Sequence, residues 1–100
     1  MIRIGILGAA KIGPKAMIEP VSRREDCTIT AVAARDGERA KAYAGQYGIP
    51  ATETDYLALV EREDVDLVYN ALPPHRHADL TIAALEAGKA VLCEKPFAMN

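Results

Sequence analysis

Gly8-Ala9-Ala10-Lys11-Ile12-Gly13 has the spacing of a turn that can hold a pyrophosphate. In the GxGxxG arrangement the first Gly makes the tight turn and the second lets backbone approach the phosphates. The third lets the following helix pack closely on its strand. Here the middle position is Ala10, so the match is partial, and its methyl group pushes the phosphates outward a little. A turn of purely structural use is the competing reading.

A second informative place follows the next strand, which ends Val32-Ala33-Ala34 with Arg35 and Asp36 after it. An acid at the strand's end would hydrogen-bond the ribose 2′-OH of NAD, whereas an Arg receives the 2′-phosphate of NADP in a two-pronged fashion. Arg35 therefore favours NADP, with NAD left open, because Asp36 could itself turn toward the ribose. The plainer alternative makes Arg35 a solvated loop residue.

Two further segments lie beyond later strands, at the strand ends where open α/β sheets bind ligands. Leu72-Pro73-Pro74-His75-Arg76-His77 follows the fourth strand, and its prolines stiffen the exit and leave carbonyls free to line a nicotinamide pocket. His77 opens the next helix, where capping or packing is the simplest role. Glu94-Lys95-Pro96 follows the fifth strand, and a lone Lys there reads by itself as a solvated charge.

The elements that must position these residues alternate between strand-length apolar runs and helical patterns, which indicates stacked βαβ units. Strands are expected at Ile2–Leu7, Cys27–Ala34, Ile49–Thr52, Val65–Ala71 and Lys89–Cys93. The first helix starts near Pro14, with a bend or early stop at Pro20. Asp36 caps the second, whose Ala40, Tyr43, Ala44 and Tyr47 share one face and which Gly48 ends. A short helix covers Asp55–Glu61, and Leu80, Ala83, Ala84 and Ala87 mark another closed by Gly88. The expected fold class is α/β, a Rossmann-type doubly wound parallel sheet with right-handed crossovers. Against the strand order 3-2-1-4-5-6, the last strand is missing, so the sheet is incomplete at its C-terminal end.

One hundred residues make one domain at most, half of them apolar and 26% charged. A net charge of −2 without a basic cluster argues against a nucleic-acid partner. It does not argue against one dinucleotide, since backbone amides hold a pyrophosphate without net positive charge. Cys27 and Cys93 form no CxxC pair or metal-spaced cluster and read as buried reduced thiols, so no metal is expected. With no export signal and no apolar run near the roughly 20 residues that span a bilayer, the expectation is a cytoplasmic protein without membrane partners.

Taken together, these segments resemble the oxidoreductases related to glucose–fructose oxidoreductase, inositol dehydrogenase and the rhizopine-catabolism enzymes (Gfo/Idh/MocA), over all 100 residues. The resemblance is carried by Ile4 to Ala10, Val32 to Asp36, Tyr47-Gly48-Ile49-Pro50, Leu72-Pro73 with His77, and Ala84 to Lys89 running into Val91 to Pro96. It implies that Gly8, Ala9, Ala10, Lys11 and Ile12 cradle the dinucleotide, and that Leu72, Pro73 and Pro74 line its nicotinamide side near His77. Many members carry Asn where Pro74 stands here, so a side-chain contact is lost. Glu94 lies near the cofactor, and Lys95 holds and polarises the reacting hydroxyl. Ala10 is shared with a subgroup that begins GILGAA and commonly ends its second strand in Ser-Arg; Ala34 drops that hydroxyl and Arg35 keeps the charge.

The implied activity is hydride transfer between NADP(H) and a secondary alcohol or ketone of a sugar, cyclic polyol or related diol. The implied domain organisation makes 1–100 the truncated N-terminal dinucleotide-binding domain. A second domain, bearing an Asp and a His and often an oligomer contact, is absent, so the piece alone is expected to be inactive. A non-catalytic nucleotide-binding module and an inactive remnant are the competing classes, because fold alone does not decide function.

Overall fold

A computed structural model describes residues 1–8, 18–72 and 74–93, the side chains of 74–77 and 93 excepted. Five strands run β1 (Ile2–Leu7), β2 (Cys27–Ala33), β3 (Ala51–Glu53), β4 (Leu67–Asn70) and β5 (Ala90–Cys93). Between them lie α1 (Glu19–Ser22), α2 (Gly37–Tyr47), α3 (Tyr56–Val60) and α4 (Pro74–Glu86). All neighbouring strands pair in parallel, in the order β3-β2-β1-β4-β5. The chain therefore reverses its direction of travel across the sheet at β1, between β2 and β4.

Side chains of a strand alternate between faces, and β1 supplies both layers. Ile4 and Ile6 pack with Val21, Val32, Ala44, Ile49 and Tyr69 beneath α1 and α2. Leu7 packs on the other face with Ala31, Leu59, Val60, Val68, Leu80 and Ala84 beneath α3 and α4. Gly5, between those residues, makes room for α3: a Cβ there would lie 2.8 Å from Leu59 Cδ2 and 3.1 Å from both methyl groups of Val65.

Several expected boundaries move. The described part of α1 ends at Ser22, two residues beyond Pro20, and the expected start near Pro14 lies outside the described residues. The third strand starts two residues later than expected, because Ile49 is spent on closing α2. Gly48 is left-handed at φ 70°, the Ile49 amide donates to the Ala44 carbonyl, and Ile49 turns into the core. β4 starts at Leu67 rather than Val65. Asp66 instead accepts from the Arg3 backbone N–H at 2.9 Å and meets its guanidinium at 2.9 and 3.0 Å. Cys27 is half-buried rather than buried, because it begins β2 and borders an open groove of about 260 Å³ with Val21, Arg24 and Tyr47.

Polar fastenings gather at the amino ends of the strands. Besides Arg3–Asp66, Arg24 pairs with Asp26 just before β2 at 2.8 Å. Lys89, just before β5, donates from Nζ to the carbonyls of Arg62 and Val65 at 2.6 and 2.5 Å. Arg62 is the exception, reaching Glu53 at the far end of β3 as well as Asp64.

Candidate functional site

At the carboxyl ends of the strands the backbone itself is the main feature. β1 is followed at once by Gly8, whose φ of 94° lies in a region that side chains strain to occupy. The Gly8 amide donates to the Ala33 carbonyl of β2 at 2.7 Å. On the other flank the Ala71 amide donates to the Leu7 carbonyl at 3.1 Å. Gly8 thus stands at the point where β2 and β4 lead away to opposite sides, the position at which open α/β sheets form a ligand crevice. A Cβ on Gly8 would meet Leu72 Cδ2 at 3.0 Å, so the exit from β4 presses directly on this turn.

Arg35 is exposed in the bend two residues beyond β2 and forms no ion pair among the described residues. The register pairs Leu7 with Ala33, so Arg35 flanks the glycine turn one strand over. Asp36, next to Arg35, caps α2: its Oδ1 accepts from the amides of Glu38 at 2.9 Å and Arg39 at 3.3 Å.

Leu72 is 7% exposed and its amide donates to Asn70 Oδ1 at 3.2 Å. Pro74 begins α4, where its fixed φ suits the first helical position. His77 accordingly sits one turn inside the helix rather than opening it. Ala9, Ala10, Lys11, Ile12, Pro73, Glu94 and Lys95 lie outside the described residues, as do the side chains of Pro74 and His77. Among the expected site residues, the structure therefore brings Gly8, Arg35 and Leu72 to one end of the sheet.

One polar residue at this end escaped the sequence reading. Asn70 is 0% exposed, the one fully buried amide or charged side chain among the described residues. Its signal was present as a polar residue closing the apolar run Leu67-Val68-Tyr69-Asn70. Among the described residues no group of His, Cys, Asp or Glu could hold a metal ion, and no helix is long and apolar enough to cross a membrane.

The family model for the oxidoreductase family with an NAD-binding Rossmann fold (Gfo/Idh/MocA) matches residues 2–100. The chain belongs to the Gfo/Idh/MocA oxidoreductase family. Similar curated members of the family include the dTDP-3,4-didehydro-2,6-dideoxy-α-D-glucose 3-reductase of Streptomyces violaceoruber, 46% identical over 95% of this chain and 28% of that protein. The D-xylose 1-dehydrogenase (NADP(+)) 2 of Haloferax volcanii is 46% identical over 92% of the chain and 28% of its own length. Among solved structures, a 3-ketoreductase from Actinomadura kijaniata in complex with NADP superposes with a TM-score of 0.86 at 41% identity, covering 95% of this chain and 30% of that one. The chain thus spans less than a third of the relatives it matches.

Proposed function

We propose that residues 1–100 are the N-terminal dinucleotide-binding domain of a longer oxidoreductase that moves a hydride between NADP(H) and a secondary alcohol or ketone of a sugar, cyclic polyol or diol. The observation that carries the reading is Gly8, a residue without a Cβ at the switch point, held by Ala33 and overlain by Leu72. Such a backbone turn leaves room for phosphates to approach, and the chemistry of the crevice fits a dinucleotide. Family membership and the NADP- and sugar-related names of the relatives support the same reading.

In this reading the backbone from Gly8 to Ile12 cradles the pyrophosphate, and Arg35 receives the 2′-phosphate that distinguishes NADP from NAD. A bound nicotinamide supplies the hydride acceptor or donor. Leu72, Pro73 and Pro74, with His77 and Glu94 close by, line its side of the pocket and exclude water. Lys95 holds the substrate oxygen and stabilises its charge as the proton moves. One lysine does not make a whole pocket, so turnover draws its remaining groups, an Asp and a His, from a second domain. Self-association of the whole protein through that domain follows from the same resemblance, and a cytoplasmic location is part of the proposal.

The test is direct. The intact protein is titrated with NADPH and with NADH, and the absorbance of reduced nicotinamide is then followed against a panel of keto sugars and polyols. Tighter binding of NADPH and turnover on some member of the panel are expected. Binding of both cofactors without turnover would reduce the protein to a nucleotide-binding module, and absence of binding would sink the reading.

A further inference from the structure

We infer that Asn70 is a positioning residue for the nucleotide site: its buried carboxamide brackets the exit of β4 and, through Leu72, sets that exit against the glycine turn. The inference rests on the proposed dinucleotide reading of the crevice.

A buried amide is costly unless its polar atoms are bonded, and an apolar residue of similar size would suit a strand interior better. Asn70 is nevertheless fully buried at the last position of β4. The register sets it beside Leu7 on one side and Cys93 on the other, so it lies at the carboxyl ends of three adjacent strands, two of which, β1 and β4, border the crevice. Its two functional atoms reach in different directions. Oδ1 accepts from the Leu72 amide at 3.2 Å, and Nδ2 approaches Thr81 Oγ1 of α4 at 3.5 Å.

The first bond bends the chain back within two residues of the strand, as Asn side chains do in turns. The second joins that bend to the helix that follows. Leu72, fixed in this way, is the side chain whose Cδ2 meets the Cβ position of Gly8 at 3.0 Å. A chain of contacts therefore runs from the carboxamide through Leu72 to the turn after β1. It keeps two loops in register from inside the core. Loss of the bracket lets the β4 exit drift, and the crevice then no longer matches one dinucleotide geometry.

Asn70→Val and Asn70→Thr separate this role from plain packing, because the two side chains have nearly the same shape and only Thr retains an acceptor for the Leu72 amide. Both are made in the intact protein, and NADPH affinity, thermal melting and the Leu72 amide exchange rate are measured. The expectation is a rise of about tenfold in the NADPH Kd for Asn70→Val, with faster Leu72 exchange, and a rise under about threefold for Asn70→Thr. Equal Kd values for both variants and the wild type, with only the melting point lowered, would make Asn70 a packing residue and overturn the inference. If Asn70→Val does not fold, Thr81→Val removes the α4 partner of Nδ2 while leaving the Leu72 bond in place; a Kd raised about threefold supports the bracket and an unchanged one overturns it. A wild-type protein that binds neither NADPH nor NADH defeats the functional reading first, and this inference with it.

Discussion

Leu72 Cδ2 lies 3.0 Å from the point where a Cβ on Gly8 would stand, so the turns after β1 and β4 touch with no space for one further carbon. A change in the Leu72 side chain is therefore felt at the turn after β1.

Gly8→Ala meets two penalties, a φ of 94° and the Leu72 contact. A loss of about 1–3 kcal/mol of stability is expected in urea denaturation. Adding Leu72→Ala relieves the contact and not the dihedral, so recovery should be partial. Full recovery would show that the backbone conformation carries no cost.

Gly5→Ala forces a methyl group to 2.8 Å from Leu59 Cδ2 in the packed layer under α3. Overpacking of this kind costs about 1–3 kcal/mol. Combined with Leu59→Ala, the loss should be smaller than the sum of the two single losses, since the second change vacates the space the first one needs. Strict additivity in denaturation would mean that α3 shifts away instead.

Acid stability follows from Asp66. The hydrogen bonds from the Arg3 guanidinium, then that from the Arg3 amide, hold its carboxyl at about 2 against an ordinary 3.8. A carboxyl depressed in the folded state contributes stability that is complete above its unfolded value and is lost as pH falls through its folded one. Asp66→Asn should therefore flatten the unfolding profile between about pH 4 and pH 2, where Asp26, held at about 2 by Arg24, acts in the same direction. An unchanged slope in the variant would assign that window to other groups.

Arg35→Ala should weaken NADPH by about 1.5–3 kcal/mol, the worth of a charge-assisted contact, and leave NADH nearly untouched. Isothermal titration with both cofactors measures the difference. Equal losses would return Arg35 to the status of a loop residue.

Lys95→Met, in the intact protein, should abolish most turnover while NADPH affinity is nearly kept. Steady-state kinetics beside a binding titration separates the two effects. Turnover at the wild-type rate would remove Lys95 from the chemistry.

Much of the architecture was legible because its signals are local. The apolar runs at Ile2–Leu7 and after Cys27 mark two central strands, and Asp36 and Gly48 bracket α2 from within one segment. The misses have a common cause in partners remote along the chain or in caps that consume apolar residues. Ile49 looks like the start of a strand but completes a helix cap, and Asp66 leaves β4 to meet Arg3, 63 residues away. For the site, Gly8 and Arg35 could be named from type and order alone. Asn70 acquires meaning only once Thr81 and Leu72 are seen around it.

The clamps of Arg3, Arg24 and Lys89 lie on the opposite rim of the sheet from Gly8, Arg35 and Leu72. On the proposed dinucleotide reading, an exposed rim residue such as Arg35 can therefore be exchanged without loosening those clamps, whereas Gly8 and Leu72 serve the fold and the site at once.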